Sequence, residues 1–225
     1  DARITAIYEG TSQLQAVAAI KGVTKGVFLD QIKAYDHEVS DKNCEIRTKL
    51  HKMAEEYHSV QIKTIADTNA DLVSALTMNY NEEAIGIVNA AKKNNIPVVI
   101  SYTVETDGKL PSGESLEEAI ISLDNITDNY VSYFMINCAH PDHFENILLP
   151  DSNWTSRIKG IRANASNKSH AELDEAETLD EGNKEELAKG YQNLKTLLPN
   201  LTIIGGCCGT DHTHMEQICE VWFKE

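Results

Sequence analysis

Long apolar runs are missing from this sequence. No stretch approaches the ~18–20 residues that a membrane-spanning helix needs, so a membrane is not an expected partner. Positive charge is scarce: Lys and Arg total 20 against 35 Asp and Glu, a formal charge of -15 with a pI near 4.9. Such a surface repels phosphate backbones and anionic headgroups, so nucleic acid is not an expected partner either. Cysteine is sparse and odd in number, five in all. That argues against a disulfide framework and for reduced thiols in a cytoplasmic setting. The opening residues, Asp1 to Thr5, lack the basic-then-apolar layout of a secretory signal. The chain begins at Asp1 rather than Met, so it is expected to be a piece of a longer product. What is present suffices for a core: 225 residues, 41% of them hydrophobic, make one large domain or two small ones.

From residue 12 to about 66 the pattern is helical. Ile20, Val23 and Val27 fall at the spacing of one apolar stripe, with Val17, Thr24 and Phe28 on the adjoining face. The next stretch is more regular, because Ile46, Leu50, Met53, Tyr57 and Val60 step by four, three, four and three. Lys49, Lys52, Glu55 and Glu56 occupy its other side, and Asp41 or Asn43 can cap its start. Two such helices joined near residues 37–43 predict an antiparallel hairpin that needs a partner surface for its stripes.

After Asp67-Thr68-Asn69 short β-rich runs alternate with helical ones. The strands are predicted at 71–77, 97–103, 133–138, 158–163 and 201–204. Helices are predicted at 82–93, 115–124 and 184–198, the last with Leu187, Tyr191, Leu194 and Leu198 as its stripe. Alternation of this kind is the mark of βαβ units and a parallel sheet. A closed (β/α)8 barrel has eight strands in ~250 residues, and residues 69–225 supply five. The predicted fold is therefore α/β: an incomplete (β/α)8 TIM-type barrel of five β/α units, residues 69–225, preceded by a helical hairpin within residues 1–66.

Each predicted strand turns polar at its C-terminal end, where barrel enzymes place their chemistry. Strand ends also border turns, and turns favour Asn, Ser and Gly in any case. Thiols are different. Cys207 and Cys208 follow Gly205-Gly206, and Cys138 ends another strand. Adjacent side chains on an extended strand point to opposite faces, so two neighbouring thiolates share a metal only where the backbone turns, and glycines permit that. Three soft ligands suit Zn²⁺ and leave a fourth position open, as in catalytic zinc sites. A substrate thiol in that position would be deprotonated and nucleophilic at neutral pH. A vicinal disulfide or buried inert thiols are the alternatives. His140, His143, His212 and His214 lie close in sequence to these cysteines and read as loop or cap residues, while Cys44 and Cys219 read as packing residues on helices. The acidic stretch 172–186 reads as a solvated loop and helix start, or as an active-site lid.

The strings DLVSALTMNYNEEAIGIV, PVVISYTVETDGKLPSGESLEEAI, YFMINCAHPDHF, IRANAS and IIGGCCGTDHTHMEQI resemble the C-terminal part of the homocysteine S-methyltransferase family. The resemblance implies a zinc-dependent barrel enzyme that methylates the sulfur of homocysteine to give methionine. Its zinc ligands fall on Cys138, Cys207 and Cys208. Its substrate contacts, which hold the amino-acid end of homocysteine, fall on Thr103, Glu105 and Asn164. The implied chemistry is attack of a metal-bound thiolate on a methyl carried by sulfonium, ammonium or cobalt. Many relatives carry Glu-Thr where this sequence has Leu76-Thr77, so that contact with the substrate amine is absent here or moved to Glu105. The family's first three strands have no counterpart upstream, and an oligomer that covers the open sheet edges is a possible arrangement.

The segment DARITAIYEGTSQLQAVAAIKGVTKG is similar to the C-terminal end of acyl-CoA dehydrogenases, and the similarity extends to about residue 62. It implies that Glu9 descends from a catalytic base, with Thr11 and Gln13 near a flavin whose binding body this sequence does not contain. Glu9 is thus expected to be inactive, a carboxylate at a helix entry. The alternative to methyl transfer is a non-catalytic fusion or fragment that keeps pieces of both families, joined near residues 62–72.

Overall fold

The computed structural model describes residues 44–150 and 152–224. The chain divides into two compact units, Asp1–Lys49 and Leu50–Glu225, and everything below concerns the second. The hairpin's first helix, with Glu9, Thr11 and Gln13, lies outside the described residues. The second is α1, Cys44–Ala66. Five strands follow, each after the first preceded by helix: β1 Val73–Met78, α2 Asn81–Lys93, β2 Val98–Tyr102, α3 Leu116–Thr127, β3 Val131–Asn137, α4 Pro141–Phe144, β4 Ile158–Ala163, α5 His170–Asp174, α6 Lys184–Leu197, β5 Ile203–Gly206 and α7 His212–Trp222.

All neighbouring strands pair in parallel, in the order β1-β2-β3-β4-β5. Sequential order with intervening helices is barrel topology, but the sheet does not close, and β1 and β5 are its edges. The fold is an incomplete (β/α)8 barrel. Strand β4 spans the residues its apolar run predicts; β3 and β5 end one residue before and two residues after their predicted ends. Alternation along the strands sends Val98, Ile100 and Tyr102 to one face, where they join Phe134, Ile136, Ile161 and Ala163 in a core with the helices. Helix α6 contributes Leu187, Tyr191, Leu194 and Leu198, all buried, as its stripe predicts.

Local chemistry marks the helix starts. Ser115 and Glu118 form a capping box on α3, and the Asn183 side chain accepts from the amides of Glu185 and Glu186 at α6. Those two glutamates sit in the first turn of α6 and Lys195 in its last, the favourable arrangement for the helix dipole.

Helix α1 differs from expectation in the face it buries. Leu50, Met53, Tyr57 and Val60 are 46%, 65%, 58% and 72% exposed. The side turned to α2 instead carries Ala54, Glu55, His58 and Ile62. A Cβ placed on Gly86 of α2 would lie 2.5 Å from the Ala54 Cβ, so the two helices approach through their smallest residues. His58 Nε2 meets Glu83 at 3.0 Å and Glu55 pairs with Lys93, which fixes the same face. Close approach and charge pairing decide the orientation here, and the apolar stripe is left outside.

Candidate metal centre

The site lies at the C-terminal ends of β3, β4 and β5. Ladder pairing carries on past the strands: the Cys138 amide donates to the Arg162 carbonyl (3.1 Å), the Cys207 amide to Ala163 (2.8 Å) and the Ala165 amide to Cys208 (2.9 Å). Two segments bearing cysteine are thereby stitched to opposite sides of the β4 end. The sulfurs of Cys138, Cys207 and Cys208 lie within 4.8 Å of one another. Cys138 and Cys207 are partly buried and Cys208 is exposed, so the cluster has an open side. Cys138 and Cys207 are in disulfide contact with Cα atoms 5.5 Å apart, while Cys208 is free. The contact is therefore between strands, not the vicinal pair. Among the described residues this is the one group of three or more metal-ligating side chains gathered this tightly.

The turn that brings Cys207 and Cys208 together is not built by the glycines before them. Gly205 and Gly206 belong to β5. The chain turns at Cys207–Thr210, closed by the Thr210 amide on the Cys207 carbonyl (3.2 Å), with Gly209 at φ +76°. A turn with positive φ at its third position requires such a residue. Gly206 serves another need: a Cβ there would lie 2.1 Å from Thr210 Oγ1.

Cys138 itself has φ 56°, a left-handed conformation that is uncommon for a residue with a side chain. Its carbonyl accepts from Asn164 Nδ2 (3.0 Å), Thr103 Oγ1 (3.3 Å) and His170 Nε2 (2.6 Å). The residue before it, Asn137, is also anchored. Its Oδ1 accepts from Ser101 Oγ (2.6 Å) and the Thr77 amide (2.9 Å), and its Nδ2 donates to Thr77 Oγ1 (2.7 Å). Thr77, at φ 60°, is a second left-handed residue held by this network. Strained backbone of this kind persists only where its surroundings hold it, and it clusters at functional sites.

The three residues expected to contact substrate thus have other partners here. Thr103 and Asn164 grip the Cys138 carbonyl, and Asn164 Oδ1 also accepts from the Cys208 amide (3.1 Å), so one amide side chain ties both cysteine segments. Glu105 meets His170 Nδ1 at 3.2 Å and is half exposed. His170 carries no sequence motif of its own. The signal beside it is a capping box, Ser169 with Glu172, which starts α5 directly after the β4 end and aims the histidine at the site. The same bond holds the Glu172 carboxyl below the usual range.

The other histidines do not join the cluster. His140 Nδ1 accepts from the Asp142 amide (3.3 Å), and burial lowers its pKa. His143 Nε2 donates to Asn167 (2.8 Å), His214 Nε2 to Glu181 (2.9 Å), and His212 is exposed. Cys219 lies on α7 and Cys44 begins α1, as expected for helix residues.

The acidic stretch is more than a solvated loop. Asp180 accepts from Lys168 (2.8 Å), Ser166 (3.1 Å) and the Gly182 amide (2.9 Å), which holds its carboxyl down to about 2. A Cβ on Gly182 would lie 1.9 Å from the Ala165 carbonyl oxygen, and one on Gly209 would lie 2.3 Å from that of Asp180. The loop is strapped onto the β4 end and onto the cysteine turn.

The homocysteine S-methyltransferase family model matches residues 10–222. The chain belongs to the homocysteine S-methyltransferase family. It is 26% identical over 160 residues to homocysteine S-methyltransferase 1 of Arabidopsis thaliana, a match that covers 69% of this chain and 47% of that protein. The crystal structure of the apo homocysteine methyltransferase MmuM from Escherichia coli matches in fold with a TM-score of 0.57 at 16% identity, covering 76% of this chain and 57% of that one. The chain thus spans about half the length of the curated relative. The family match runs across residues 62–72, where a junction is expected from sequence, and does not favour a fusion of unrelated pieces. Among the described residues no helix is long and apolar enough to cross a membrane.

Proposed function

We propose that this chain carries the homocysteine end of a zinc-dependent methyl-transfer site, giving methionine as product. The observation that supports it most is the convergence of three sulfurs, from two segments 69 residues apart, at an open rim of a family member. Three thiolates in this compass suit zinc by softness and number, and the exposed side at Cys208 admits a fourth ligand. Cys138, Cys207 and Cys208 would hold the ion. Zinc, when bound, supplies Lewis acidity that strips the proton from an incoming thiol at neutral pH.

The chain's own residues do the rest. Glu105, half exposed at the rim, offers a carboxylate to the ammonium of homocysteine. Thr103 and Asn164 sit beside it with polar atoms for the amino-acid end while they hold the Cys138 backbone. Leu76, in place of the family's usual glutamate, gives no second carboxylate. The methyl donor carries its methyl on sulfonium, ammonium or cobalt, and the reading places the reaction in the cytoplasm. An oligomer that covers the β1 and β5 edges belongs to the same reading.

Purified protein should hold near one zinc per chain, and Cys208→Ser should abolish it. With homocysteine and each class of donor, methionine should form only in the zinc-loaded protein. Metal-free protein that is equally active, or zinc retained by Cys208→Ser, would contradict the proposal. A second reading has one observation in its favour: a Cα separation of 5.5 Å between Cys138 and Cys207 is that of a disulfide. Thiol titration of unreduced protein separates the two, with two fewer free thiols per chain if the pair is oxidised.

A further inference from the structure

We infer that His170 is a positioning residue of the metal centre, holding the Cys138 backbone and the Glu105 carboxylate in one frame; the inference rests on the zinc reading above. His170 touches no sulfur. Its ring spans two groups instead, with Nε2 at 2.6 Å from the Cys138 carbonyl and Nδ1 at 3.2 Å from Glu105 Oε1. The capping box of Ser169 and Glu172 fixes the helix turn that carries it.

Cys138 needs such a hold. Its φ of 56° sets the direction of the side chain toward Cys207, and a residue with a Cβ does not keep that conformation unaided. Three donors converge on its carbonyl, more than the two lone pairs of that oxygen call for. Thr103 and Asn164 come from the ends of neighbouring strands, whereas His170 comes from α5 and makes the shortest contact. It is also the member of the three that reaches Glu105, so the placement of the candidate substrate carboxylate and of a candidate ligand depends on a single ring. Partners of this kind, one bond removed from a metal, set ligand direction and hence metal affinity.

The test is zinc affinity by chelator competition on the full chain, with thermal melting beside it. His170→Ala should weaken zinc by ~10–100-fold while the melting point of the metal-free protein moves little. His170→Gln keeps one donor for the Cys138 carbonyl but cannot span to Glu105. It should restore zinc affinity to within about three-fold of wild type and still show a raised KM for homocysteine. His58→Ala is the control. It removes a histidine–carboxylate contact of similar length, to Glu83 at 3.0 Å, on helices far from the cysteines in sequence, and should leave zinc affinity unchanged. Wild-type zinc affinity in His170→Ala overturns the inference and leaves the zinc reading intact. Equal loss in His170→Ala and His58→Ala also overturns it, because the effect would then be general destabilisation. If His170→Ala does not fold, His170→Gln decides: zinc affinity as weak as that of Cys208→Ser overturns the role assigned to the ring. Wild-type protein that takes up no zinc overturns the zinc reading and this inference together.

Discussion

The two ends of the sheet are held by different means. At the N-terminal end, Arg157 forks onto Asp124 at 2.7 and 3.0 Å, donates to the Val131 carbonyl at 2.6 Å and stacks 5.4 Å from the Phe134 ring. The strands that start there have ordinary backbone. At the C-terminal end there is no such fork among the described residues. Neutral hydroxyls and amides (Thr77, Ser101, Thr103, Asn137, Asn164) hold two residues with side chains in left-handed conformations. The difference separates two tasks. A charge clamp on relaxed strands serves stability, whereas a neutral network around strained backbone serves geometry, here the meeting of three sulfurs.

Substitutions at the two ends should therefore part company. The largest loss is expected at Gly182→Ala, where the new methyl meets the Ala165 carbonyl oxygen and the φ of +54° disfavours any side chain. A cost on the order of 3–5 kcal/mol by chemical denaturation should come with a disturbed cysteine turn and weakened metal binding. Arg157→Ala is the counterpart at the other end. Leaving Asp124 without its fork should cost about 2–3 kcal/mol, below the figure for a fully buried pair because both side chains keep some exposure. Metal stoichiometry should be unchanged, and a change in it would erase the distinction between the ends.

A smaller effect is expected from pH. The Asp180 carboxyl, bonded first to Lys168, then to the Gly182 amide and Ser166, is lowered from 3.8 to about 2. Its contribution to stability is fully present above pH 3.8 and is lost as pH falls through about 2. Acid unfolding of Asp180→Asn should lack that component, by comparison of unfolding midpoints across this window. The smallest effect is expected outside both ends, at Met53→Ser on the exposed stripe of α1, within about 0.5 kcal/mol. A larger loss would mean that the stripe is covered in the intact protein.

How far these features were legible in sequence depends on whether they are local. The β4 run and the α6 stripe are local patterns, and both were read correctly. The stripe on α1 was equally legible, yet periodicity says only that a stripe exists. Which face finds a partner was decided by Ala54 against Gly86, a contact between helices that no window along one helix contains. The sulfurs were legible as residue types at strand ends. The turn that joins two of them was assigned to Gly205-Gly206 and belongs to Gly209, because glycine tolerates both strand and turn. Thr103 and Asn164 were legible as polar rim residues, but their common target, the Cys138 carbonyl, follows from the register of three strands. His170 had no motif, and only the capping box next to it marked the place.

The measurement that bears most directly on the central claim is X-ray absorption at the zinc edge of the metal-loaded chain. The account predicts three sulfur neighbours at ~2.3 Å and one further ligand position filled by a lighter atom, falling to two sulfurs in Cys208→Ser. Zinc surrounded by nitrogen and oxygen alone, or zinc lost on gel filtration of the wild-type protein, would contradict it.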